Sequence, residues 1–167
     1  MANWSQHHDL VYAFVCVSFL ADGEVEESEK EAMRGNVKVM LPDVSDEEYN
    51  SMEAEVINKF IELGDESSRM DQYGTSLEAL KGLFTSDEDR YKVVKNLAYI
   101  ARADDFIHEN EMAMVEQAVS GLDMTDKVKL VKTDSTLFVD PTFSSNQLIL
   151  YDSPATIFRG WCSVLLE

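Results

Sequence analysis

The chain has 167 residues, 45% of them apolar and 10% aromatic, enough to bury one core, and its 32 acidic against 14 basic residues give a formal charge of -18. That charge excludes attachment to nucleic acid or anionic lipid through a basic surface, and the aromatic content with its periodicity excludes a disordered acidic tail. The acid is uneven: residues 1–120 hold 26 Asp and Glu against 10 Lys and Arg, and residues 121–167 hold 6 against 4.

The first predicted element runs from Ser5 to Ala21 and is apolar nearly all round (Leu10, Val11, Phe14, Val15, Val17, Phe19, Leu20), the pattern of a central helix packed on several sides. Its apolar run from Leu10 to Ala21 is too short to span a bilayer, and no Lys or Arg precedes it, so neither a membrane anchor nor a signal peptide is expected. Cys16 lies inside this run and Cys162 near the C-terminus, without a C-x-x-C pair, which fits a reducing cytoplasm. His7 and His8 are read as preceding the helix at a flexible terminus, a pair that picks up transition metals adventitiously and carries no function.

A second helix is expected from about Glu26 to Met40, with Met33, Val37 and Met40 on one face and Pro42 as its stop. Ser45 and Glu48 form a capping box for a third, whose stripe of Tyr49, Met52, Val56, Phe60 and Ile61 reaches about Leu63. Gly64 to Met70 reads as a polar loop, and Tyr73, Leu77, Leu80 and Phe84 mark a fourth helix weakened by Gly74 and Gly82. Ser86 caps a fifth, with Asp87, Glu88 and Asp89 in its first turn and Val93, Val94, Leu97, Ala98 and Ala101 on its buried face. A sixth runs from about Glu109 to Leu122, and a short seventh is expected after Thr125.

Past Lys132 the pattern changes. Thr136–Val139 and Gln147–Tyr151 are β-like runs that suggest a small hairpin or an extended tail, and Ser153-Pro154 opens a last helix through Trp161. The expected fold class is all-α, a single-domain bundle of six or seven helices with two pseudo-repeated helix-turn-helix halves. The domain covers residues 1–131, and residues 132–167 form an extension packed on it or on a neighbouring chain.

The main signal is an internal repeat. An offset of 82 residues lays Ala21-Asp22-Gly23-Glu24-Val25-Glu26-Glu27-Ser28-Glu29 on Ala103-Asp104-Asp105-Phe106-Ile107-His108-Glu109-Asn110-Glu111. Each copy is a helix, an acidic turn and a helix, and a two-fold-like arrangement is the simplest way to pack them. The bland reading of the matched residues is local: each Asp accepts backbone N–H groups in its turn, Val25 or Ile107 plugs the core, and Glu29 or Glu111 sits at a helix N-terminus. A calcium loop of the EF-hand type fails, because Ser18 and Leu20 in one copy, and Ile100 and Arg102 in the other, stand where oxygen ligands are needed.

Over roughly residues 5–131 these motifs resemble the tellurite-resistance TerB-like domain family, whose hallmark is a pair of A-D-G-x-(I/V)-x-x-x-E turns. The matching positions are Ala21, Asp22, Gly23, Val25 and Glu29, then Ala103, Asp104, Ile107 and Glu111, with Asp105 where the family usually has Gly. The resemblance implies an all-helical, non-enzymatic module linked to metal or oxyanion stress, whose acidic clusters bind cations and protein partners.

No G-x-S-x-G, Walker loop, dinucleotide fingerprint, H-E-x-x-H or paired E-x-x-H motif is present, so an enzyme is not expected. The candidate ligands for a divalent metal ion are Asp22, Glu29, Asp104 and Glu111, with His108 three residues before Glu111. A solvated histidine at a turn is the plainer reading of His108. Met33, Met40, Met52, Met112 and Met114 recur at helical spacing as core filling. The competing reading is a structural interaction domain without metal, whose segment bearing Phe138, Phe143, Tyr151, Phe158 and Trp161 docks on another copy or chain. The expected partner is a protein, either a basic surface or the chain's own copy, with no nucleic acid and no membrane span.

Overall fold

The computed structural model describes residues 4–22, 27–101, 109–132 and 137–142. Within them the chain folds as the six helices α1 (Gln6–Asp22), α2 (Glu27–Met40), α3 (Asp46–Leu63), α4 (Glu66–Leu83), α5 (Asp87–Ile100) and α6 (Glu109–Gly121). The hairpin strands β1 (Val128–Lys132) and β2 (Leu137–Pro141) follow. The predicted strand Gln147–Tyr151 and the predicted last helix through Trp161 lie outside the described residues.

α1 is the axis of the bundle. Every residue from Leu10 to Val17 is at most 3% exposed, so apolar groups face outward from this helix in all directions and every side needs a cover. α4 and α3 supply most of that cover, and α2, α5 and α6 close the remaining sides. The Asp9 carboxylate within this helix accepts hydrogen bonds from the Trp4 indole N–H (2.9 Å) and from the Ser76 hydroxyl of α4 (2.8 Å). Because both donors reach the same buried oxygen, the charge is neither stranded nor free to reorient. His7 and His8 do not precede the helix: they sit in its first turn, where His8 is buried. Its Nδ1 accepts the Ser5 backbone N–H at 3.1 Å, and its Nε2 lies 3.3 Å from Glu55.

Two further hydroxyls tie the layers. Tyr73 of α4 donates to the Met114 carbonyl of α6 at 3.0 Å, and Tyr12 of α1 donates to the Arg69 carbonyl of α4 at 3.1 Å. The Arg69 guanidinium in turn lies over the Phe60 ring (4.2 Å) and near that of Phe19 (5.5 Å), binding α3, α4 and the end of α1 through its flat face. Burial pushes the Cys16 thiol up to about 12, which leaves it an inert apolar side chain. The methionines fill the core as their spacing predicts: Met33, Met52 and Met114 are buried, and Met40 and Met112 pack against it.

The helix starts follow their capping chemistry. Ser45 accepts the Glu48 N–H while the Glu48 carboxylate accepts the Ser45 N–H, the reciprocal box read from the sequence. α3 then ends on Gly64, at φ +75°, where only glycine is free of strain. The stretch Gly64–Met70 is not the loop its polarity suggests. Asp65 accepts the Ser68 N–H at 2.9 Å and starts α4 directly at Glu66, and the first turn is polar because it faces solvent. Gly82, read as a weak point, is a place of close approach: a Cβ there would lie 2.6 Å from Gln6 Nε2, which donates to the Ala79 carbonyl at 2.9 Å.

After α6 the expected seventh helix is absent. Asp123 takes φ 59° and the Met124 N–H returns to the Val119 carbonyl (2.8 Å), a left-handed cap that turns the chain out of the helix. The alternating Val128, Leu130 and Lys132 then form β1, antiparallel to β2 with Leu130 opposite Val139. The predicted run Thr136–Val139 thus falls mostly in β2, but its partner precedes it. β1 also spans the position near Lys132 where the sequence reading begins the extension. The Asp123 carboxylate lies 3.3 Å from Lys81 and 3.7 Å from Arg90. Arg90 in turn donates to the carbonyls of Phe84 and Leu122, so one cation serves the C-terminal ends of α4 and α6.

Phe14→Ala should lower the unfolding free energy by about 3–5 kcal/mol in urea titrations, whereas Ile61→Ala, at a position 64% exposed, should stay within about 0.5 kcal/mol. The caps add a pH dependence. The backbone N–H and hydroxyl of Ser68 hold the Asp65 carboxyl below its usual value. Its contribution is therefore complete above the ordinary carboxylate range and is lost as pH falls through the depressed folded value. Thermal melts between about pH 5 and pH 2 should show a shallower acid loss for Asp65→Asn than for wild type, because asparagine still caps but does not titrate there.

Candidate functional site

Two helix pairs carry the acidic turns, α1 with α2 and α5 with α6. Under the 82-residue offset Glu27, which opens α2, falls on Glu109, which opens α6. Met33 and Val37 fall on Val115 and Val119, and all four are buried. The packing has the same symmetry. α1 lies against α6 and α5 against α2, the two contacts that an exchange of the halves interchanges, and α1 meets α5 at the centre. What surrounds the pairs breaks the symmetry: α3 and α4 cover α1, while β2 covers α5.

This scaffold packs the four helices that flank the turns as one double pair. Asp22 is the last residue of α1, and Glu29 and Glu111 are the third residues of α2 and α6. The side chains of Asp22 and Glu29 lie outside the described residues, as do Asp104 and His108 altogether. Glu111 is described, and it stands apart from its neighbours. It is 2% exposed and engaged in an interaction, while Glu109 in the same helical turn faces solvent. A carboxylate is rarely buried without partners, and at this position the N–H groups and dipole of the α6 N-terminus favour its charge. The remaining predicted first-turn acids, Asp46, Glu47 and Glu48 on α3 and Asp87, Glu88 and Asp89 on α5, sit at the starts of their helices as expected.

Among the described residues no three His, Cys, Asp or Glu side chains converge as a metal site. The chemistry available at the turns is that of hard oxygen: carboxylates suited to a divalent cation of the calcium or magnesium kind, with one imidazole in the second copy. Sequence reasoning missed the Trp4–Asp9–Ser76 link, although a signal existed. An aspartate at the head of an otherwise apolar helix needs a buried partner or a helix N-terminus, and Asp9 has both.

Comparison with known proteins adds one finding. The model of the family described as tellurite resistance protein TerB matches residues 8–128. That span starts within the first turn of α1 and ends on the first residue of β1, so it covers both acidic turns and the helices on either side of them. No curated protein and no solved structure matches the chain.

Glu111→Ala should cost about 1–3 kcal/mol in urea unfolding, the penalty for removing a buried, engaged carboxylate, while Glu109→Ala should change stability by less than about 0.5 kcal/mol. Equal effects of the two would mean that burial at the third position carries no special interaction.

Proposed function

Since the chain belongs to the TerB family, we propose that it is a non-enzymatic helical module whose two acidic turns take a divalent cation and present the result to a protein partner in metal or oxyanion stress. Asp22 and Glu29 from the first turn, with Asp104 and Glu111 from the second, supply the oxygens, and His108 assists in the second copy. The observation that carries the reading is the buried carboxylate of Glu111 at the N-terminus of α6. It holds a charge ready at the edge of an acidic turn, without the entropy loss of ordering an exposed side chain.

The rest of the molecule is compatible. A chain of charge -18 concentrates cations and attracts basic protein surfaces. Free, buried Cys16 suits a reducing cytoplasm, and no described helix is long and apolar enough to cross a membrane.

Isothermal titration and thermal melts with calcium, magnesium, manganese and zinc test the proposal. Saturation at about a hundredfold over Kd should stabilise the wild type by about 2.7 kcal/mol, and the gain should vanish in both Asp22→Asn and Asp104→Asn. If the two variants lose the same stability with and without metal, each aspartate serves only its own turn. The structural interaction module without metal is then the correct reading.

A further inference from the structure

The two helix pairs share one pattern but not one interface. α6 buries Met114, Val115, Ala118 and Val119, and the Tyr73 hydroxyl of α4 fastens it by donating to the Met114 carbonyl at 3.0 Å. Among the described side chains of α2 the buried ones are Met33, Asn36 and Val37, with Leu41 just past its end. The 82-residue offset lays Ala32 on Met114 and Met40 on Leu122, and in the first pair both positions are partly exposed. Two apolar side chains, Met33 and Val37, therefore anchor the body of α2.

The surroundings of α2 are also more polar. Ser18 of α1 is fully buried and its hydroxyl donates to the Met33 sulfur at 3.7 Å, a weak acceptor, where the second pair has the apolar Ile100 and Val115. Asn36, 1% exposed, stands where the second pair has Ala118, and neither its amide oxygen nor its amide nitrogen has a hydrogen-bond partner among the described residues. α5, against which α2 lies, buries Asn96 at the position that Phe14 holds in α1. Closing α2 thus strips the Asn36 amide of water without returning hydrogen bonds to it. The links from α2 to α3 offset little of this. Arg34 donates to Asn50 at 2.6 Å and lies over the Tyr49 ring at 5.3 Å, and Lys38 pairs with Asp46, but these cations are open to solvent.

We propose that α2 is the opening element of the bundle: it detaches from α1 and α5 and unfolds as one unit, at a lower free energy than global unfolding, while α6 stays closed. A helix of 14 residues with Gly35 in its interior does not hold its shape alone in water, so detachment and unfolding coincide. Opening returns the Asn36 amide to water. It also withdraws Glu29, the third residue of α2, from the flank of the first acidic turn, while Glu111 of α6 keeps its place beside the second. The first turn is thereby the adjustable one and the second the fixed one. Opening of α2 requires no cation, and a chelator leaves it intact.

Native-state hydrogen exchange on the full chain, with chelator present and urea raised in steps below the unfolding transition, reads this opening. The amides of residues 33–40 should exchange at one common rate, at least about tenfold faster than those of Val115–Val119, and with a weaker dependence on urea because less surface is exposed. That comparison needs no variant. Asn36→Leu keeps the branching of the side chain and removes its polar atoms, so it should slow exchange in α2 by at least about tenfold, beyond the roughly threefold that the better helix propensity of leucine supplies. If residues 33–40 exchange with the rate and urea dependence of α6, or at unrelated rates that fall off from one end, the proposal is overturned. An Asn36→Leu variant whose α2 amides slow by no more than that threefold overturns it equally.

Discussion

The constraint on which the fold depends is that α1 is apolar on every side. A helix with residues 10–17 at most 3% exposed has no solvent face, so it can exist only at the centre of a bundle, and it fixes how many elements must surround it. α3 and α4 follow from that requirement. They cover the flank of α1 that the second helix pair does not reach, and the Asp9–Ser76 and Tyr12–Arg69 hydrogen bonds lock α4 in place where nonspecific apolar burial would let it slide.

α5 stands at the equivalent place in the second half and behaves differently for a chemical reason. Its sequence carries Asp89, Arg90, Lys92 and Lys95 among its apolar residues, so it keeps a solvent face and needs less cover. A two-stranded hairpin suffices, anchored by Val128 and Leu137 in the core and by the Tyr91 hydroxyl on Val139. A lone hairpin is marginal in water, and this one persists because one of its strands lies on a helix. The gene-like duplication of the pattern therefore does not produce two equal halves. It produces two equal helix pairs in unequal surroundings.

Helices were legible wherever local chemistry and periodicity agreed. The Ser45–Glu48 box, the Ser86 cap and the apolar stripes of α3 and α5 placed those elements nearly to the residue, and the offset of 82 located α2 and α6 relative to each other. The start of α4 was hidden because its first turn is polar and exposed: periodicity detects a buried face, and Glu66–Met70 has little of one. β1 was hidden because Val128–Lys132 is only five residues long and follows α6 after the short turn of residues 122–127, and the left-handed conformation of Asp123 that ends α6 could not be anticipated from an aspartate alone. At the site the acidic turns were legible as a repeat, but their consequence was not. The repeated motif singles out Glu111 over Glu109 but not its burial, and it is the angular position of each on α6 that exposes one and buries the other.

That distinction bears on how an acidic module can have both stability and affinity. Exposed first-turn acids such as Glu47 and Glu88 interact weakly with helix dipoles through high-dielectric solvent and gain little from a passing cation. A carboxylate in the position of Glu111 is different. It is shielded from solvent and engaged in an interaction within the fold. Its desolvation cost is borne by folding, so a cation that reaches it gains a low-dielectric contact without that cost being charged to binding. The same burial limits what it can do, because an oxygen already committed to a backbone or side-chain donor has only its remaining lone pairs for a metal. A cation site that included Glu111 would therefore need most of its ligands from other residues.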